Sequence, residues 1–464
     1  MEQKSAYDDK LLIRETRGDN TIVESFVPTS EFNSKLFEDR QQMASAVITD
    51  DDGLRVYGII GDDLRVRPLS TMERSEEGHV PHLLYREEDQ PNEPRITDYL
   101  SMPSSEHSKL RPDQAFIEER AIENIQPEIH LVIDSVFYKA FNHSETDIIT
   151  YFGAILNSVN LRYKTMKDLK VEVKITGFSY NGDYEDSNLI KTFAQYGFKD
   201  ADISATLDKF VEYYETKQRD LFKKVDTFVF VTGRDMCAVT GTKLSCGVTG
   251  LAFVGGACTK HRAVVVEDAP WSYKTSRLIT HEVAHSLGCV HDGDKPDSNI
   301  KDHPGAEACL WSDGYIMSYL KKSLKQYQFS SCCEAQIKHV ANLPTYVCLH
   351  KNNTWRTKAI TDDFPGTVTS RDKLCRMTFG EQFYFDRVEQ MKGCKIPCRS
   401  PSFNSNGVTQ YITGTANALD GTPCQGTDMV CMLGSCEHNP KGNKALKHMK
   451  PSRTAGSPTW GKYF

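Results

Sequence analysis

The chain has 464 residues, of which 39% are hydrophobic and 26% charged, with a formal net charge of -7 at pH 7. This length points to roughly two or three domains, and the composition is that of a soluble globular protein, neither disordered nor membrane-embedded. No run of about 18 apolar residues occurs, which excludes a membrane-spanning helix. Residues 1–120 carry 26 acidic and 15 basic side chains, leaving a mildly basic remainder that reads as solvated surface with no nucleic-acid partner.

In chain order, the first segment contains LRVYGIIGDDLRVRPL (54–69), where apolar and polar residues alternate around a Gly-Asp-Asp turn, so a small β-rich unit is expected. From Asp89 to Asp113 the composition turns to Pro, Glu, Ser and Asn and reads as a linker, with the next domain beginning near Ile125. A strand follows in EIHLVIDSVFY (128–138). Ile148, Ile149, Phe152, Ile155, Leu156 and Val159 then recur at helical spacing. KVEVKITGF has the period of a strand. A helix bearing Leu207, Phe210, Val211 and Tyr214 leads into DTFVFVTG (226–233), a continuous apolar run of the kind found in buried central strands. This alternation predicts a mainly parallel sheet. Two short strands, GLAFV (250–254) and RAVVV (262–266), precede a helix expected over residues 272–288.

All 14 cysteines lie between Cys237 and Cys436, eight in 237–348 and six in 375–436. Each set is even, as closed disulfide sets require, so export to an oxidising compartment is expected. The start, MEQKSAYDDK, shows no apolar signal region, and the disulfide pattern is given more weight. Asn142 and Asn352 lie in glycosylation sequons. Beyond Cys348 the periodicity dissolves into a small module held by disulfides more than by a core. The Lys-, Pro- and Gly-rich residues 437–464 read as a disordered basic tail.

The chemistry concentrates in HEVAHSLGCVHD (281–292). His281 and His285, one turn apart on a helix, can present imidazoles to a single ion. Gly288 can take the left-handed conformation that ends the helix, bringing His291 in as third ligand. Three neutral nitrogens leave a fourth position for water, the mark of a catalytic rather than a structural zinc site. Glu282 is then the general base for a zinc-activated water attacking a carbonyl, and returns the proton to the leaving amine. Met317, in GYIMSY, follows at the distance of a methionine-bearing turn beneath the ligands.

HExxHxxGxxHD with Asp292 after the third histidine, followed by Met317, resembles the reprolysins, the adamalysin and ADAM-type metalloproteases of the metzincin clan. The likeness extends through DTFVFVTGRD, GLAFVGGAC and FSSCCEAQI. It implies an α/β catalytic domain over 125–352, a five-stranded mixed sheet with flanking helices cut by a cleft. LDGTPCQGTDMVCMLGSCE resembles the disintegrin-like and cysteine-rich part of ADAMTS proteins, assigned to 353–436, and LRVRPLSTMERSEEGHVPHLLY resembles a β-rich reprolysin propeptide, assigned to 1–124. The arrangement is similar to tick salivary metalloproteases. The propeptide has no cysteine, so a thiol-to-zinc latency device cannot operate. By resemblance, Glu128, Asp226, the region of Cys348, and Asn352 are candidate calcium ligands, Cys258 pairs with Cys348, and Tyr319 stands where astacins keep a tyrosine near zinc. Cys289 is expected to pair with a nearby cysteine such as Cys309.

Gly250, Leu251 and Ala252 are the expected substrate edge, because proteases align extended peptide by main-chain pairing to a strand. The leading expectation is a secreted, monomeric zinc endopeptidase acting on extracellular proteins, matrix or clotting proteins such as fibrinogen by resemblance. The alternative is a catalytically silent binding protein acting through its cysteine-rich domain.

Overall fold

The computed structural model describes the chain apart from residues 1, 4, 17–20, 51–52, 62, 70–71, 77, 87–96, 104–122, 194–199, 241–242, 321–322, 352–369, 390, 404–408, 419–421, 425–427, 433–434 and 439–464. Two compact units, Met1–Arg356 and Thr357–Phe464, make up the fold.

The first unit is organised on an eight-stranded mixed sheet. Its strands are β1 (Tyr7–Thr16), β2 (Ile22–Pro28), β3 (Tyr99–Ser101), β4 (Glu128–Ile133), β5 (Lys174–Tyr180), β6 (Thr227–Thr232), β7 (Gly250–Val254) and β8 (Ala263–Glu267). Their spatial order is β2-β1-β5-β4-β6-β8-β7-β3. From β1 to β8 neighbouring strands are parallel, whereas β2 and β7 run antiparallel to β1 and β8. The five strands between residues 128 and 267 form the expected mixed sheet, and the N-terminal residues extend it at both edges.

β4 and β6 are buried along their whole length; β6 is the continuous apolar run expected of a strand covered on both faces, whereas β4 also buries Glu128 and His130. Ile129, Leu131, Ile133, Val229 and Val231 enter one core, while Val132, Phe228 and Phe230 enter the other. Helix α1 (Glu145–Tyr163), capped by the Ser144 side chain, packs into the first. Helix α2 (Ile203–Lys217), capped by Asp202, packs into the second.

The apolar spacing along α1 predicts one buried face, yet nearly all of Ile148–Tyr163 is buried. An antiparallel sheet of six strands within residues 2–86 covers its outer side. Ser45 Oγ donates to the Ala154 carbonyl (2.6 Å) and Lys164 pairs with Glu38 (2.7 Å). The approach is close enough that a β-carbon on Gly153 would lie 2.9 Å from Leu36. The N-terminal segment is therefore β-rich as expected, but it is interleaved with the sheet and α1 rather than detached from them.

Residues 97–103, inside the stretch read as a linker, are ordered and contain β3. Composition suggested otherwise because it is blind to a pairing partner 150 residues away. Helix α3 (Thr275–Ser286) packs against β7, β8 and α1, and helix α4 (Ser331–Ala341) follows the methionine turn.

The disulfides Cys237–Cys246, Cys258–Cys348, Cys289–Cys333 and Cys309–Cys332 close this unit. The expected pairing of Cys289 with Cys309 is corrected. Cys332 and Cys333 are consecutive residues of α4 and so point in different directions. Buried Cys333 meets Cys289, and Cys332 meets the Cys309 loop.

The second unit has a helix, Arg371–Phe379, a three-stranded sheet and a hairpin of Met429–Met432 with Ser435–His438. Cys375–Cys398, Cys394–Cys431 and Cys424–Cys436 tie these pieces around a small core containing Leu374, Phe383 and Ile396.

Candidate metal centre

His281, Glu282 and His285 lie on α3 and are all buried. The helix gives way at Leu287, and Gly288 at φ +113° lets the chain turn back. A β-carbon there would meet Val340 at 2.4 Å. The Cys289–Cys333 bridge and a hydrogen bond from Val290 N–H to Gln336 (2.9 Å) anchor the returning segment, which delivers His291 to the two helix histidines. His281 Nε2 lies 3.2 Å from His291 Nε2 and 3.1 Å from His285 Nε2.

The other ring nitrogens fix the tautomers. His281 Nδ1 faces the Ile316 carbonyl at 2.9 Å and His285 Nδ1 faces the Cys289 carbonyl at 2.6 Å. A carbonyl only accepts, so each Nδ1 carries the proton and each Nε2 presents a lone pair. Burial pushes His285 down to about 4, against an opposing hydrogen bond and charge from Asp98, and it also lowers His291. These rings are neutral near pH 7, the form a metal requires. Neutral lone pairs converging at such distances repel unless a cation lies among them. Tetrahedral zinc bonded to nitrogen at about 2.0–2.1 Å spaces its ligands about 3.3 Å apart, so the donor set fits zinc.

Asp292 N–H donates to the Met317 carbonyl (3.0 Å), and its carboxylate accepts from Ser330 Oγ (2.6 Å). This buried residue joins the third histidine to the methionine turn and to the start of α4. Burial raises its carboxyl to about 6. Met317 is fully buried, and Arg277 donates to the Ser318 carbonyl (2.7 Å), fastening the turn to α3. The half-buried Tyr319 ring lies 5.8 Å from His281 and 5.3 Å from His291, a rim position. Trp311, which sequence reasoning missed, packs edge-on against His291 at 5.4 Å.

Glu282 is buried and neither carboxylate oxygen has a hydrogen-bond partner. Burial, reinforced by the nearby charge of Asp98, raises its pKa well above the usual carboxylate range. Its side chain lies over Gly250, where a β-carbon would come within 2.3 Å of Oε1. Gly250, Leu251 and Ala252 pair with β8 on one side, and on the other β7 pairs with β3, so the expected substrate edge is covered in this chain.

A residue with no motif to announce it, Asp98, faces the three histidines. Its carboxylate oxygens lie 3.2 Å from His281 Nε2, 3.3 Å from His285 Nε2 and 2.8 Å from His291 Nε2. The one available signal was an acidic residue followed by Tyr, Leu and Met within an otherwise polar stretch.

Glu128, the first residue of β4, and Asp226, which immediately precedes β6, sit together, both buried, with Glu128 N–H donating to Asp226 (2.9 Å). Cys348 is bonded to Cys258, and Asn352 lies outside the described residues.

The mixed sheet, the three-nitrogen centre and the glutamate beside it define a zinc metalloendopeptidase domain. Residues 127–353 match the model of the reprolysin (M12B) family zinc metalloproteases. Residues 365–437 match the ADAMTS cysteine-rich domain 2. An ADAMTS-like protein of Bombyx mori is 29% identical over 67% of this chain and 44% of its own length. A venom metalloproteinase of Olivierus martensii is 25% identical over 70% and 78%, and an antarease-like venom metalloproteinase of Tityus trivittatus 25% over 70% and 81%. The chain thus spans under half of the Bombyx mori protein. The likeness is to ADAMTS-like and scorpion venom metalloproteinases and is not specific to tick salivary enzymes. Among the described residues no helix is long and apolar enough to cross a membrane.

Proposed function

We propose that this chain is a secreted, monomeric zinc endopeptidase of extracellular proteins, with residues 1–124 a propeptide, 125–352 the catalytic domain and 353–436 a module that docks substrate. The observation that carries the reading is the convergence of His281, His285 and His291 through Nε2 atoms 3.1–3.2 Å apart, with Glu282 next to them on α3. A zinc ion held by these nitrogens supplies Lewis-acid polarisation of a peptide carbonyl and lowers the pKa of a water. Glu282 would take the proton onto a carboxylate oxygen and deliver it to the departing amine. The main chain of Gly250–Ala252 aligns the substrate once its outer edge is free. Seven disulfides and the venom and ADAMTS relatives favour export. Matrix or clotting proteins such as fibrinogen are the substrates to try first. The test is digestion of casein and fibrinogen by the processed protein, with and without chelator. A zinc-loaded, folded protein that cleaves neither would leave the silent binding protein as the better reading.

Gly250 offers a finer test. A methyl group added there meets the Glu282 side chain from Cγ to Oε1 rather than backbone, so Gly250→Ala should shift that side chain while leaving zinc content near wild type. The misplaced base should nevertheless cost on the order of 10²-fold in kcat. Equal kcat for variant and wild type would show that Glu282 does not act from this position.

Calcium is proposed at Glu128 and Asp226. Burial pushes Asp226 up to about 7, and its Oδ1 has no hydrogen-bond partner, so the ionised carboxylate is costly there unless a cation offsets it. Millimolar calcium at pH 8 should raise the melting temperature of the wild type and not of Asp226→Asn. The same shift in both would remove this site.

A further inference from the structure

The geometry points to Asp98 as a fourth ligand of the metal, one that closes the site and keeps the full-length chain latent. The inference rests on the zinc reading above and adds to it a residue outside the family's matched segment, 127–353.

The Asp98 carboxylate caps the triangle of Nε2 atoms at 2.8–3.3 Å, the spacing expected between vertices of one coordination tetrahedron. Its Oδ1 has no hydrogen-bond partner, and two of the rings it meets, His281 and His285, have their Nδ1 protons committed to carbonyls on the far side and so turn Nε2 lone pairs toward it. A carboxylate oxygen and ring lone pairs held together are reconciled by a cation among them. All cysteines of the described structure are bridged and none lies before residue 237, so a thiol is not available for this position.

The segment bearing Asp98 is built to stay in place and to resist hydrolysis. Tyr99, Leu100 and Ser101 align with Ala252, Phe253 and Val254, occupying the strand edge that an extended substrate would use. The Asp98 carbonyl accepts from Ala252 N–H (3.2 Å), so it is turned to the strand while the side chain, not the peptide bond, faces the histidines. Tyr99 OH donates to Asp294 (2.8 Å) and its ring lies 4.8 Å from His285. Ser101 Oγ donates to Asp297 (2.6 Å), and Met102 is buried in the core beneath β7. Substrate must displace both the ligand and the strand, so activation requires the release of residues 97–103.

The test uses the zinc-loaded full-length chain and acetohydroxamate, a small bidentate metal ligand, titrated by calorimetry, beside casein hydrolysis. If Asp98 occupies the metal about 99% of the time, wild type should bind acetohydroxamate about 100-fold more weakly than Asp98→Ala. Asp98→Asn, which keeps the shape and removes the charge, should also bind more tightly than wild type. It decides the matter if the alanine variant loses its zinc or its thermal transition. Wild type and a folded variant binding the probe equally well would overturn the inference. Tighter probe binding without casein cleavage in the full-length variants would uphold Asp98 as a ligand, because Tyr99–Ser101 still cover the strand edge; failure of the processed, zinc-loaded protein to cleave casein would instead sink the endopeptidase reading alone.

Discussion

Replacing Glu282 by glutamine should lower kcat for casein by about 10²–10⁴-fold while leaving one zinc per chain. Glutamine preserves the shape of a side chain already enclosed by α3 and Gly250, so folding should be nearly unaffected. It cannot accept the proton. The buried amide is moreover better tolerated than a carboxylate whose two oxygens lack partners, so the melting temperature should hold or rise. A variant retaining wild-type kcat would mean that another group takes the proton. The measurement is steady-state kinetics on the processed protein, with metal content determined on the same sample.

His285→Ala should act at an earlier stage, on metal binding itself. Its imidazole is fully buried, and its Nδ1 is aimed by the Cys289 carbonyl, the same residue that the bridge to Cys333 fixes. With two nitrogens left, the site loses the geometry that selects zinc, and stoichiometry after dialysis should fall from about one per chain to below roughly one tenth. Activity should fall with it. Full zinc occupancy in this variant would place the metal elsewhere.

The centre was readable because its parts are local. His281, Glu282 and His285 share one helical turn, Gly288 reverses the chain, and His291 follows three residues later, so spacing alone defines the approach. The central strand β6 was legible for a similar reason, since it is an apolar run buried along its length. What spacing could not supply were contacts between distant segments. Nothing in α1 announces that a second sheet covers its outer face, and the alternation of residues 54–69 does not say which surface they will cover. Cys289 was assigned by nearness in sequence to Cys309, whereas the direction of consecutive side chains on α4 selected Cys333. Asp98 was the largest omission. Its stretch has the composition of a linker, and only pairing with β7 brings that carboxylate to the histidines.

The most direct test of the central claim is a zinc titration of metal-stripped, processed protein while casein hydrolysis is followed. One ion in the three-histidine site predicts no hydrolysis without zinc and a linear rise that breaks at one equivalent. Hydrolysis by the stripped protein, or none after one equivalent has bound, would contradict it.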